Sequence, residues 1–69
     1  MKKYRVSESC FDAYLNGADT DAVNRIQKEG LTAREIKSIW ADANGMFWDG
    51  EIGIYRTLED VLANDFEEI

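Results

Sequence analysis

Few side chains in this 69-residue chain could carry out catalysis, because the sequence contains no histidine. The commonest general base and metal ligand is therefore missing. Ser7, Ser9 and Ser38 consequently have no partner of the usual kind for nucleophilic catalysis. Cys10 is the single cysteine, so one chain can form neither a structural zinc site nor an internal disulfide. The sequence predicts a non-catalytic protein that holds no cofactor.

Two stretches rich in oxygen-bearing side chains, NGADTD and DANGMFWDGE, could in principle form calcium loops. An EF-hand loop requires glycine at its sixth position, where the chain turns sharply. A loop that begins at Asp42 places Phe47 at this position, and a loop that begins at Asp19 places Asn24 there. Neither spacing fits, so we interpret both stretches as helix caps and turns and predict no metal site.

The net charge of −6 is distributed unevenly along the chain. Residues 1–40 carry seven basic and six acidic side chains, whereas residues 41–69 carry eight acidic side chains and one basic one, Arg56. Such an acidic half disfavours phosphate backbones and anionic membranes and favours basic protein surfaces. With one cysteine, no signal-peptide pattern and no apolar run long enough to span a bilayer, we expect a cytoplasmic protein that does not enter membranes.

The hydrophobic pattern predicts a single α+β domain over residues 1–69 with the order β-α-α-α-β-β-α. Residues 2–6 alternate as a short strand does, and we expect this strand to join a later hairpin in one antiparallel sheet packed against helices, since two strands alone are marginal. Predicted helix caps are Ser7 or Ser9, Asp19 or Thr20, Thr32 with Glu35 in a capping box, and Thr57.

Apolar spacing predicts which faces of the last two helices point inward. In the third helix Ile36, Ile39 and Trp40 lie on one face. The fourth helix is expected to carry its apolar face as far as Phe66. Because its carboxylates then stand at the negative end of the helix dipole, residues 65–69 should fray.

The stretch NGMFWDGEIGIYR, residues 44–56, is typical of a hairpin. Asp49-Gly50 predicts a two-residue type I′ corner, which pairs Trp48 with Glu51 and Phe47 with Ile52. In that register Phe47, Ile52 and Ile54 face the helices, while Met46, Trp48 and Tyr55 lie on the opposite face. The second face is either buried by other parts of the domain or exposed as an apolar patch, and the sequence leaves both alternatives open.

If that face is exposed, its composition is typical of a protein interface, in which aromatic side chains and methionine form a centre within a polar rim. We therefore predict a small acidic protein-binding module that engages a basic protein surface. Where this surface normally binds nucleic acid, the protein would act as an inhibitor that mimics nucleic-acid charge. The predicted partner-binding residues are Met46, Trp48, Tyr55, Asp42, Asp49, Glu51, Glu59 and Asp60. A homodimer formed through the aromatic face is a further alternative.

A second hypothesis is direct nucleic-acid binding by the stretch VNRIQKEGLTAREIKSIW, compared with a helix-turn-helix motif. If Gly30 is the turn glycine, the residues that fall where apolar ones are expected are Leu31, Ile36 and Ile39. The fit is incomplete, because Ile26 stands where a small residue is expected and Glu29 stands at a position that should be buried. Under this hypothesis the phosphate contacts come from Arg25, Lys28, Arg34 and Lys37, with the hairpin as a wing.

Overall fold

Four helices and two short antiparallel sheets form an α+β arrangement, which confirms the predicted class. The computed structural model of the protein describes all 69 residues. The elements are β1 (Tyr4–Val6), α1 (Phe11–Leu15), α2 (Thr20–Glu29), α3 (Ala33–Trp40), β2 (Phe47–Asp49), β3 (Ile54–Arg56), α4 (Leu58–Asn64) and β4 (Phe66–Glu68). A 3₁₀ turn, Glu8–Cys10, leads into α1. None of the helices is long and apolar enough to cross a membrane.

Side-chain caps start α2, α3 and α4 at predicted residues. Asp19 accepts a hydrogen bond from the Ala22 amide at 2.9 Å, and Thr57 accepts one from the Asp60 amide at 3.2 Å. The capping box of α3 is complete, because Thr32 accepts from the Glu35 amide while Glu35 accepts from the Thr32 amide. Hydrogen bonding to the Thr32 backbone amide, and then to its side chain, holds the pKa of the exposed Glu35 carboxyl below its ordinary value.

The first helix begins differently from the prediction. Ser7 precedes the 3₁₀ turn, but its side chain makes no capping hydrogen bond, and Ser9 lies inside that turn. The two hydroxyls instead lie 3.4 Å from each other. The turn therefore starts without the side-chain cap that the other helices have.

The predicted three-stranded sheet is wrong, because β1 pairs with β4 rather than with the hairpin. In this antiparallel pair Val6 lies opposite Phe66, and Tyr4 lies opposite Glu68. The hairpin strands β2 and β3 form a separate two-stranded sheet. Side-chain charge favours the observed pairing, since Arg5 Nε lies 3.1 Å from a Glu67 carboxylate oxygen across the two strands.

The prediction that the chain ends as a fraying helix is also wrong. Helix α4 stops at Asn64, and Phe66 is buried in the core as the first residue of β4. Backbone bonds hold both ends of this strand: the Ser7 amide donates to the Asp65 carbonyl, and the Ile69 amide donates to the Lys3 carbonyl, each at 2.9 Å. The final carboxylates thus lie beside the basic first strand instead of at a helix end.

The turn between α2 and α3 is joined to the other edge of β1. Tyr4 and Leu31 exchange two backbone hydrogen bonds, each of 2.8 Å. Gly30 permits this close approach, because it has a φ of +79° and a Cβ there would lie 2.7 Å from Ile69 Cδ1. The proposed helix-turn-helix segment is therefore tied to both ends of the chain through its turn.

The core lies where these elements meet. Its buried apolar side chains are Val6, Leu15, Ile36, Phe47, Val61 and Phe66. Trp40 packs against this cluster from α3, in agreement with the predicted apolar face, but Ile39 is exposed, so its predicted inward position is wrong. A five-residue α1 and short strands leave too little surface to cover every apolar residue of α3.

The hairpin adopts a longer loop than the predicted two-residue corner. Phe47 lies opposite Arg56, Trp48 opposite Tyr55, and Asp49 opposite Ile54, which leaves residues 50–53 as the loop. Gly53, and not Gly50, has a positive φ, and its amide donates to the Asp49 carbonyl at 2.8 Å. The Asp49 side chain also stabilises the loop by accepting from the Glu51 amide at 3.0 Å.

The observed register agrees with the predicted inner face of the hairpin only in part. The observed cross-strand partner of each β2 residue differs from the predicted partner by an even number of positions. Each strand residue therefore keeps its predicted face. Phe47 is buried as expected, but Ile52 and Ile54 are exposed, so the expectation that they pack against the helices is wrong. Ile52 lies in the loop, and Ile54 lies in the strand pair next to that loop, at the end of the hairpin away from Phe47.

Candidate functional site

The outer face of the hairpin carries an exposed aromatic pair, Trp48 and Tyr55, which we call the aromatic face. These residues are direct cross-strand partners, with ring centroids 5.0 Å apart and planes inclined at 58°. Because Phe47 points into the core, its neighbour Trp48 must point outward. The exposed fractions are 59% for Trp48 and 53% for Tyr55. Of the two alternatives that the sequence left open, the structure therefore has the exposed one.

Met46 lies just before this pair and is less exposed. Asp42 organises the turn that carries it: the Asp42 carboxylate accepts from the Asn44 amide at 2.9 Å and from the Met46 amide at 3.0 Å. Its backbone amide also donates to the Met46 carbonyl. Asp42 thus acts as a turn residue, as the calcium comparison indicated, and it fixes where the hairpin begins.

Two predicted partner-binding carboxylates, Asp49 and Asp60, lie against Arg56. The Arg56 Nε donates to Asp60 at 2.8 Å, and Nη1 lies 3.6 Å from an Asp49 oxygen. Nη1 and Nη2 also donate to the two oxygens of Asp65, at 2.9 and 3.3 Å. One guanidinium thus faces three carboxylates, and its single positive charge offsets part of their negative charge within the domain.

Beneath Arg56 lies a polar contact that the sequence analysis missed. Asp65 is only 8% exposed, and it accepts a hydrogen bond of 2.6 Å from the Tyr14 hydroxyl. Burial, followed by this bond to Asp65, raises the pKa of Tyr14 well above its ordinary value. Hydrogen bonds to Asp60 and Asp65 raise the pKa of Arg56. One signal was available: Arg56 is the sole base among residues 41–69, so several carboxylates compete for it.

The remaining predicted partner-binding carboxylates form no ion pair within the domain. Glu51 in the loop and Glu59 on α4 are exposed, and neither forms an ion pair. Asp42 is exposed as well, although its carboxylate accepts two backbone hydrogen bonds. Among the predicted partner-binding carboxylates, those outside the ion pairs of Arg56 are therefore Asp42, Glu51 and Glu59.

An open groove of about 560 Å³ separates the hairpin from the helices. Its apolar lining includes Tyr14 from α1, Trp40 from α3 and Trp48 from β2. The charged lining consists of Asp49, Glu51, Arg56 and Asp65. The volume falls in the range of ligand pockets, and the mixture of aromatic walls with a few charged groups is typical of recognition sites.

The basic residues of the nucleic-acid hypothesis do not share one depression. Arg34 and Lys37 on α3 line a shallow hollow with Asp42, whereas Arg25 and Lys28 on α2 lie outside it. All four basic side chains are exposed. Lys37 lies over the turn at Gly45, where an added Cβ would approach its Cε to 2.8 Å. A phosphate in this hollow would therefore meet the Asp42 carboxylate as well as the two bases.

Comparisons of the chain with protein-family models, with curated proteins and with solved structures found no match. Function must therefore be inferred from the side chains themselves. The surface is distinguished by the aromatic face, by the exposed isoleucines of the same hairpin and by the groove beside them.

Proposed function

We propose that this protein is a small binding module whose hairpin engages a basic surface on a partner protein. The observation that carries the proposal is the exposure of Trp48 and Tyr55, more than half of each residue, on a hairpin whose opposite face buries Phe47 in the core. Scattered exposed apolar residues are ordinary on a monomer. Two aromatic rings in contact and exposed on one face of a hairpin, with Ile52 and Ile54 exposed elsewhere on the same hairpin, give this surface an apolar character that is typical of an interface.

Charge supports a basic partner. The aromatic face belongs to the acidic half of the chain, and Glu51 and Glu59 have no basic neighbour that forms an ion pair with them. Unpaired carboxylates around an apolar centre steer a basic surface into contact and disfavour acidic partners. If the partner's surface also binds nucleic acid, the module would compete with nucleic acid for it and act as an inhibitor.

Affinity capture with matched variants tests this function. The wild type and the W48A/Y55A variant are immobilised and exposed to extracts of the source cells, and Ile39→Ala is the control because it removes an equally exposed apolar side chain from α3. The wild type and Ile39→Ala should retain the same basic protein, and the double variant should lose it. The purified pair should bind at least about tenfold more weakly without the two rings.

Charge reversal separates this function from direct nucleic-acid binding, whereas raised salt weakens both kinds of binding. Binding to a basic partner should weaken as salt is raised, because the carboxylates around the hairpin are exposed and screened. The double substitution Arg34→Glu with Lys37→Glu should leave partner binding intact. If W48A/Y55A retains the partner and the charge reversal abolishes binding to duplex DNA, the proposal is wrong and the nucleic-acid hypothesis replaces it.

A further inference from the structure

The groove beside the hairpin has walls suited to a long side chain. Trp40 and Trp48 both line it, together with Tyr14 and the small side chain of Ala13. Aromatic faces attract cations, and the aliphatic stem of lysine or arginine packs well against apolar walls. The lining therefore offers contacts for both parts of a basic side chain.

The charged lining favours a cation over an anion. Three carboxylates, Asp49, Glu51 and Asp65, line the groove with a single base, Arg56. That guanidinium already donates to Asp60 through Nε and to Asp65 through Nη1 and Nη2. An incoming phosphate or carboxylate would have to displace these acceptors, so Arg56 is poorly placed to bind an anion.

The same contacts show which carboxylate is free. Both oxygens of Asp65 accept hydrogen bonds from Arg56, and one also accepts from Tyr14. One Asp49 oxygen accepts from the Glu51 amide, and the other lies 3.6 Å from Arg56. Glu51 is exposed and forms no ion pair, although it lines the groove. An arriving cation would find its acceptor in Glu51.

We infer that the groove receives one basic side chain, lysine or arginine, from the partner surface that contacts the aromatic face. The inference rests on the proposed function and deepens it by specifying the chemistry of the partner's contact residue. The aliphatic stem packs against the aromatic lining of the groove, and the charged end meets Glu51. Trp48 serves both surfaces, since its ring belongs to the aromatic face and the residue lines the groove.

A short arginine-rich peptide is the probe, and Cys10 is the reporter. Cys10 is the single thiol of the chain and lines the groove. Saturation with the peptide should slow alkylation of Cys10 by iodoacetamide several-fold, whereas a glutamate-rich peptide of equal length should leave the rate unchanged. Glu51→Gln should weaken binding of the arginine-rich peptide several-fold, because it removes the free carboxylate without disturbing an ion pair.

Filling the groove gives an independent test. Ala13→Met extends a side chain into the groove and should weaken peptide binding about tenfold, while Ala63→Met on α4 lies outside the groove and should have no effect. Circular dichroism shows whether both variants fold. If Ala13→Met does not fold, the Cys10 rate and Glu51→Gln decide the question.

Failure of the inference differs from failure of the proposed function. If the peptide binds, loses affinity in Tyr55→Ala and leaves the Cys10 alkylation rate unchanged, the aromatic face binds a basic surface but the groove stays empty. That result overturns the inference alone. If the peptide does not bind, the inference is again overturned, and partner capture with W48A/Y55A decides the proposed function separately.

Discussion

Arg56 and Asp65, nine residues apart, join the end of the hairpin to the end of the last helix through two hydrogen bonds of 2.9 and 3.3 Å. Asp65 in turn accepts the Tyr14 hydroxyl of α1, so three elements meet at one carboxylate. This contact forms part of the groove lining and places the hairpin relative to the helices. The hairpin that carries the aromatic face is therefore held against the helices by these polar contacts as well as by the packing of Phe47.

Removal of Arg56 should destabilise the fold strongly. In Arg56→Met the Asp65 carboxylate stays buried without its cation, which should cost about 3–5 kcal/mol in the free energy of unfolding. Arg5→Met breaks the exposed pair with Glu67 and should cost less than about 1 kcal/mol. Urea unfolding measures both values. Equal, small losses would mean that the contact between Arg56 and Asp65 contributes little to stability.

Tyr14 should make stability depend on pH in the alkaline range. Its pKa is raised in the folded protein, chiefly by burial and then by the bond to Asp65. The neutral phenol therefore contributes stability that is fully present below the unfolded pKa of about 10 and is lost as pH rises through the higher folded value. Tyr14→Phe should be less stable at neutral pH by about 1–3 kcal/mol.

The control for this prediction is Tyr55→Phe, whose hydroxyl lies on the exposed aromatic face. Urea midpoints measured from neutral to strongly alkaline pH should fall more steeply for the wild type and Tyr55→Phe than for Tyr14→Phe. Parallel curves for all three proteins would show that the Tyr14 hydroxyl is not the group responsible.

The sequence predicts local features well because their partners lie a few residues away. Asp19 and Thr57 each bond an amide three residues later, so type and spacing identify them as caps. The pairing of β1 with β4 joins opposite ends of the chain, and no local pattern in residues 66–68 distinguishes a strand from the end of a helix. The opposite charges of Arg5 and Glu67 were the feature of the sequence that indicated this pairing.

The candidate site was predicted in part for the same reason. Because side chains alternate along a strand, Trp48 and Tyr55 lie on one face in any register that differs from the predicted one by two residues or a multiple of two. They therefore share a face, as predicted, although the predicted two-residue corner was wrong. The predicted burial of Ile52 assumed a two-residue corner. The observed loop is longer and includes Ile52, so this prediction was wrong. The engagement of Arg56 by Asp65 depends on where α4 ends, and this contact could not be read from spacing alone.

Neighbouring substitutions in β2 should have opposite consequences. Phe47 is 4% exposed and Trp48 is 59% exposed. Phe47→Ala should destabilise the fold by about 3–5 kcal/mol because it leaves a cavity. Trp48→Ala should cost about 1 kcal/mol or less, chiefly the cross-strand contact with Tyr55. Urea unfolding of the two variants checks this, and a large loss for Trp48→Ala would place its ring in the core and remove the basis of the proposed function.

The C-terminal strand should be essential to the fold. Phe66 is buried against Tyr14 and Trp40, with ring centroids 5.0 and 5.8 Å away, so Phe66→Ala should cost about 3–5 kcal/mol. Glu67→Gln, which alters only an exposed ion pair of the same strand, should cost less than about 1 kcal/mol. Thermal unfolding followed by circular dichroism compares the two variants. Small losses for both would be the result expected of a frayed helix end, whereas a large loss confined to Phe66→Ala shows that this strand closes the core beneath Trp40 and so maintains one wall of the groove.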